Sequence, residues 1–174
     1  MVGSTLKRGL SPKAITLVGL VLAVAVLGPS AAVAKKGGTD RPIKDHSSGT
    51  TVLDLGTLAF VTDATGTTSH LGKTTTHLDG VVTPTGADTF TIAGSFVTVA
   101  ANGDTLFGTF SGSGTIDAAG NSQGPVVTTY TGGTGRFEGA SGSSAGSFSQ
   151  VFISTDGATQ TFATDYTLRG TISY

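Results

Sequence analysis

The sequence predicts an all-β chain folded as a single small antiparallel β-barrel of about eight strands. Three observations predict it. From Thr51 onward, apolar and hydroxyl residues alternate with a period of two, and no stretch sustains the 3.6-residue period of an amphipathic helix. Glycine, asparagine and aspartate break this alternation at short intervals, and 20 of the 27 glycines lie between Thr51 and Tyr174. No helical segment of useful length is left over to cover a sheet, so a meander with one apolar face must fold on itself as a sandwich or a barrel. Closure is the cleaner solution, because it removes the edges that invite aggregation.

Taken in order, Thr51–Val61 reads as a first strand, Thr62–Gly66 as a turn and Thr68–Val82 as a second strand. Thr89–Val99 follows, with Phe90, Ile92 and Phe96 on one face. Asn102-Gly103 is the dipeptide best suited to a two-residue hairpin, since both residues tolerate positive φ. Thr105–Ile116 returns with Leu106, Phe110 and Ile116 on the matching face. Gly108, Gly112 and Gly114 share that face, where a tightly curved small barrel needs missing side chains. Val126–Tyr130 leads into Gly132-Gly133-Thr134-Gly135-Arg136-Phe137-Glu138-Gly139, expected to form a tight corner. Ser147–Ser154, a turn at Asp156-Gly157, and Thr161–Ser173 complete the chain. The last strand sets Phe162, Tyr166, Leu168, Ile172 and Tyr174 against Ala163, Asp165, Thr167 and Arg169, the pattern of a sheet with a single wet face.

The first 50 residues read differently. Lys7, Arg8 and Lys13 precede an apolar run from Ala14 to Leu27, and Ala32-Val33-Ala34 follows. Residues 1–34 thus have the form of a secretory signal peptide, and the run is short for a membrane span. The expectation is a secreted or extracytoplasmic chain with no membrane segment after cleavage. Residues 35–50 carry Ile43 as their only large aliphatic residue and read as a flexible polar tether, with His46 solvated. Residues 51–174 form the barrel domain. Removal of the leader leaves seven basic residues against 11 acidic ones, and Thr51–Tyr174 contains only Lys73, Arg136 and Arg169. That balance disfavours a nucleic-acid partner, which needs clustered cations. The absence of cysteine excludes disulfides, thiol catalysis and thiolate metal sites.

The central stretch lacks the spacing of a phosphate-binding loop, and no helix pattern follows it. Strand, GGTGRF, small residues and strand again resemble instead the allene oxide cyclase barrel-like superfamily, which includes the plant dirigent proteins. Ser69-His70-Leu71-Gly72, Ala101-Asn102-Gly103-Asp104-Thr105-Leu106 and the ending Gly170-Thr171-Ile172-Ser173-Tyr174 are similar to pieces of its short secreted bacterial members. The resemblance implies an eight-stranded barrel with a central cavity, assembled as a homodimer or trimer, that holds an apolar or phenolic molecule and steers its cyclisation or coupling. This chain departs from the dirigent pattern after Phe137, with Ala140-Ser141-Gly142 where Ala-Arg-Gly is usual. No catalytic carboxylate of the family maps onto it.

The candidate cavity residues are His70, Phe90, Phe96, Phe110 and Tyr166. His70 has the parity of Gly72, Thr74 and Leu78 and is expected to point inward; its structural reading is a histidine hydrogen-bonded near the barrel mouth. The aromatic residues read as core first and ligand contacts second, because small barrels usually fill their interiors and only some keep room for one ligand. His70 and His77 are seven apart, hence on opposite faces of a strand, so a shared metal site is not expected and no metal or cofactor is assigned. Arg136 and Glu138 share a face and are expected to pair. No nucleophile elbow is visible. Two functions follow: a binding or envelope interaction module for a small apolar molecule, or a cyclase-like isomerase acting in the same cavity. A dry phenylalanine plug favours a scaffold, and a roomy pocket with a convergent polar group favours an enzyme.

Overall fold

The structure, a computed structural model, describes residues 38–174. The expected signal peptide, 1–34, lies outside the described residues. Eight strands follow one another as an unbroken antiparallel meander: β1 (Arg41–Asp54), β2 (Ala59–Thr68), β3 (Gly72–Pro84), β4 (Thr89–Ala100), β5 (Thr105–Ile116), β6 (Ser122–Gly133), β7 (Ser141–Asp156) and β8 (Thr159–Ser173). β8 pairs with β1 from Asp54↔Thr159 to Arg41↔Ile172, so the sheet closes into a barrel without a free edge. The expected fold class is observed.

Two assignments are corrected. Residues 41–50 are not a tether: they form most of β1, bonded on both sides, to β2 (Asp45↔Thr68 through Leu53↔Phe60) and to β8. Backbone pairing is nearly indifferent to side-chain hydrophobicity, and the closing strand of a barrel gains two ladders at once. Ile43, too little to order an isolated segment, is 1% exposed because it points into the barrel beside the β8 side chains. The Thr62–Gly66 turn does not exist either. Those residues run straight through β2, and the chain reverses earlier, at Leu55–Leu58, where Asp54 Oδ1 accepts hydrogen bonds from the Gly56 and Thr57 amides (2.9 and 2.8 Å). Gly66 is a strand residue because its position faces inward against β1, where a methyl group would overlap the His46 carbonyl and Ser47.

The Asn102-Gly103 hairpin forms with a longer loop than two residues. The Gly103 amide bonds the Ala100 carbonyl (2.9 Å), the Ala100 amide bonds the Asp104 carbonyl (2.8 Å), and only Gly103 has positive φ, +87°. This is a three-residue loop closed by a left-handed glycine.

The barrel is a cup. At one end the β6–β7 corner folds into a single 3-10 turn, Gly135–Phe137, that drives Phe137 (0% exposed) across the opening. Ile43, Leu71, Leu106, Ala140 and Ile172 surround it, all buried. At the other end the turns after β1, β3, β5 and β7 leave the interior open. Outward positions are mostly Thr, Ser and charged residues and the interior is mostly apolar, the reverse of a transmembrane barrel.

Candidate functional site

Between the Phe137 plug and the open rim lies a cavity of about 490 Å³. This is within the usual range for a small-molecule site. Its two walls differ. β3, β4 and β5 present Leu78, Ile92, Phe96 and Phe110, with Phe90 and Phe148 in contact (ring centroids 6.3 Å apart) and Phe60 against Phe110 (6.0 Å). On the opposite side a belt of polar side chains crosses five strands. Thr51 on β1 is its centre, bonded to Thr62 on β2 (Oγ1 to Oγ1, 2.7 Å) and Thr164 on β8 (2.6 Å). Gln150 Nε2 on β7 donates to both Thr51 and Thr164 (3.1 Å each), and its Oε1 accepts from Ser122 Oγ on β6 (2.9 Å). Each member satisfies another, which is what allows polar groups to be buried without large cost.

The floor is more reactive. Asp45 on β1 points inward, and its Oδ1 accepts hydrogen bonds from Ser47 Oγ (2.8 Å) and Thr68 Oγ1 (3.1 Å). Among the described residues no donor is bonded to Oδ2. Burial pushes the Asp45 carboxyl above its ordinary range, against the smaller opposing effects of those two hydrogen bonds and of His46. Tyr130 reaches the same level from β6, its hydroxyl bonded to Ser144 Oγ. Tyr166 descends from β8, where it is paired in register with Ser47. Both phenols are shifted upward, chiefly by desolvation, with Asp45 adding to the shift. Among the described residues neither the Tyr166 hydroxyl nor Thr128 Oγ1 has a hydrogen-bond partner, and both atoms are sealed from the cavity by their neighbours. The Thr76 and Ser47 hydroxyls lie toward the Tyr166 phenol without completing a bond to it. Such orphaned groups are uncommon in native interiors.

Of the sequence candidates, Phe90, Phe96, Phe110 and Tyr166 all line the cavity. His70 does not. It sits in the β2–β3 turn with φ +71°, exposed at the closed end, and its Nε2 bonds the Pro42 carbonyl oxygen (2.9 Å) while its ring packs on Tyr174. Strand parity fails there because the turn begins at Ser69, which leaves Leu71 to take the inward place. Arg136 is also reassigned. Its partners are Asp104 (Nε to Oδ2, 3.7 Å), the His70 carbonyl and the face of Phe137 (4.9 Å), so it fastens the plug to two neighbouring turns and does not pair with Glu138. Asp45 and the hydroxyl belt were missed. The alternation Ile43-x-Asp45-x-Ser47-x-Gly49-x-Thr51 continues the period of two back into the supposed tether and is the signal that points to them.

No family model, curated protein or solved structure matches this chain.

Proposed function

We propose that this chain is an exported barrel that takes up one small, mainly apolar molecule through the open end of the cup. The observation that carries the reading is the cavity itself: an interior with a phenylalanine wall, a self-satisfied hydroxyl wall and, at its floor, a carboxyl with one oxygen unbonded among the described residues. A barrel built only as a scaffold gains nothing from desolvating a carboxyl in this way, since an unmet buried polar group costs about 1–3 kcal/mol. The likeness of its glycine corner to the allene oxide cyclase barrel-like superfamily supports the same reading. The leader-like N-terminus supports export.

Turnover in the same cavity is the second reading, and it is favoured by a specific observation. Asp45 sits at the floor of the pocket, where a carboxyl whose proton affinity burial raises can donate a proton to a bound oxygen.

Binding is tested with the neutral fluorophore N-phenyl-1-naphthylamine, titrated into wild type and into Ile92→Trp, which narrows the lining. Saturable one-to-one enhancement that Ile92→Trp weakens is the expected outcome. Enhancement that is non-saturable or indifferent to this substitution refutes the binding reading. Incubation of cyclisable apolar epoxides and phenols with the protein, followed by chiral chromatography, tests turnover. Products identical in amount and configuration to a protein-free control dismiss it.

A further inference from the structure

The cations of this barrel are sorted along its axis. The four turns at the open end carry Asp54, Asp88, Asp117 and Asp156 and contain no Lys, Arg or His. All five Lys and Arg side chains of the described residues, Arg41, Lys44, Lys73, Arg136 and Arg169, lie in the closed half. Hydrogen bonds within their own turns hold Asp54 and Asp117 below the ordinary carboxyl range, Asp54 through Thr57 and Asp117 through Asn121, so both keep their charge into acid. Inside, Asp45 is the sole side chain of the cavity lining that bears a full charge in any ionisation state near neutrality; the other titratable groups facing it are the phenols of Tyr130 and Tyr166.

We infer that the cavity selects apolar molecules carrying one positive charge, such as an amine on a hydrophobic body, over neutral or anionic molecules of the same shape, with the ammonium seated on Asp45 Oδ2. The inference rests on the binding reading above and adds the ligand's charge to it. Three features argue for it together. A cleft lined by one sign of charge concentrates ligands of the other sign. An ammonium is a donor without an acceptor, and Asp45 Oδ2 can accept. Tyr130, Tyr166 and Phe96 line the same cavity, and aromatic rings attract cations. The usual objection to a buried ion pair is the cost of desolvating both partners. Here the carboxyl has been desolvated by folding, so a ligand bears only its own share. A carboxylate ligand meets the opposite situation: it passes an acidic rim and reaches a floor with no cation to receive it.

Decylamine, decanol and decanoate separate the possibilities, because they share one chain and differ in charge. Each is competed against N-phenyl-1-naphthylamine near neutral pH with wild type, Asp45→Asn and Tyr166→Phe. Decylamine is expected to bind at least about tenfold more tightly than decanol, the scale of one charge-assisted hydrogen bond, and decanoate is expected to bind most weakly. Asp45→Asn brings decylamine down to the level of decanol, and Tyr166→Phe, which removes a hydroxyl sealed from the cavity, leaves the gap unchanged. The preference survives high salt, which screens the exposed rim but not the floor. Decanol or decanoate matching decylamine in wild type overturns the inference, even where Asp45→Asn fails to fold. An amine preference that persists in folded Asp45→Asn, or that vanishes in salt, overturns the Asp45 seat. If none of the three displaces the fluorophore and the fluorophore itself does not bind, the binding reading has failed first; displacement by all three equally leaves that reading standing and removes this one.

Discussion

Replacing Phe137 by alanine tests the cup directly. The Phe137 ring is fully buried, 4.8 Å from the Tyr174 ring and beneath the Arg136 guanidinium, and it closes one end of the barrel. Truncation there removes the whole packed ring and leaves a void walled by Ile43, Leu71 and Ile172, which β1, β8 and the β2–β3 turn hold apart. The expected cost is about 3–5 kcal/mol. For a domain of this size that lowers Tm by roughly 10–20 °C. Phe96→Ala is the control. Phe96 is as large, but one side of its ring already faces the cavity, so it has fewer atoms to lose, and its cost should be at least about 1 kcal/mol smaller. Urea titrations followed by far-ultraviolet circular dichroism and tyrosine emission measure both, in a chain that has no tryptophan. Equal costs, or a larger one for Phe96→Ala, would refute the division into a filled end and an open middle.

Asp45→Asn should stabilise the barrel, and more so as pH rises. The folded carboxyl titrates above its unfolded value, so the native state holds the proton more tightly and stability falls with rising pH between the two values; thermal melts across that range check the slope. His77 behaves oppositely in cause and place. Its Nδ1 lies 2.7 Å from Asp63 on the exposed face and its titration is raised by that bond. The small contribution of His77 is present below about pH 6.5 and lost above the raised value, so His77→Gln should lower Tm slightly in acid and not in base. Gly124→Ala should prevent folding altogether, because the added methyl would overlap the Ser113 carbonyl in the β5–β6 ladder; a folded, soluble variant with native circular dichroism would contradict it.

Much of the fold was legible because period-two alternation survives wherever inward residues are apolar. Phe90, Ile92 and Phe96 on β4 and the inward series Phe162, Tyr166, Leu168 and Ile172 on β8 announce their strands without help. The first ten residues of β1 were not legible, since their inward series is Ile43, Asp45, Ser47 and Gly49, and only the first is greasy. Their order comes from partners far away in sequence, which no local pattern records. The same cause hid the site. Polar residues lining a cavity look like surface residues to any reading based on hydrophobicity, so Thr51, Thr62, Thr164 and Gln150 drew no attention although they form a bonded belt inside. Phe90, Phe96, Phe110 and Tyr166 were found because aromatic side chains signal the interior whether it is packed or open. His70 was misplaced because parity counting carries no information across a turn.

The seam where β8 meets β1 has a consequence for how the molecule comes into being. Its fourteen register pairs, from Arg41↔Ile172 to Asp54↔Thr159, join the first described strand to the last. A growing polypeptide therefore cannot shut the ring until β8 has been made, and every product that stops short of it carries two sticky margins. Such long-range pairing makes for slow assembly. The same adjacency of the start of β1 and the end of β8 means that a short linker could fuse them and new ends be cut at the Thr85–Asp88 turn, giving a permuted barrel with the same walls, floor and mouth.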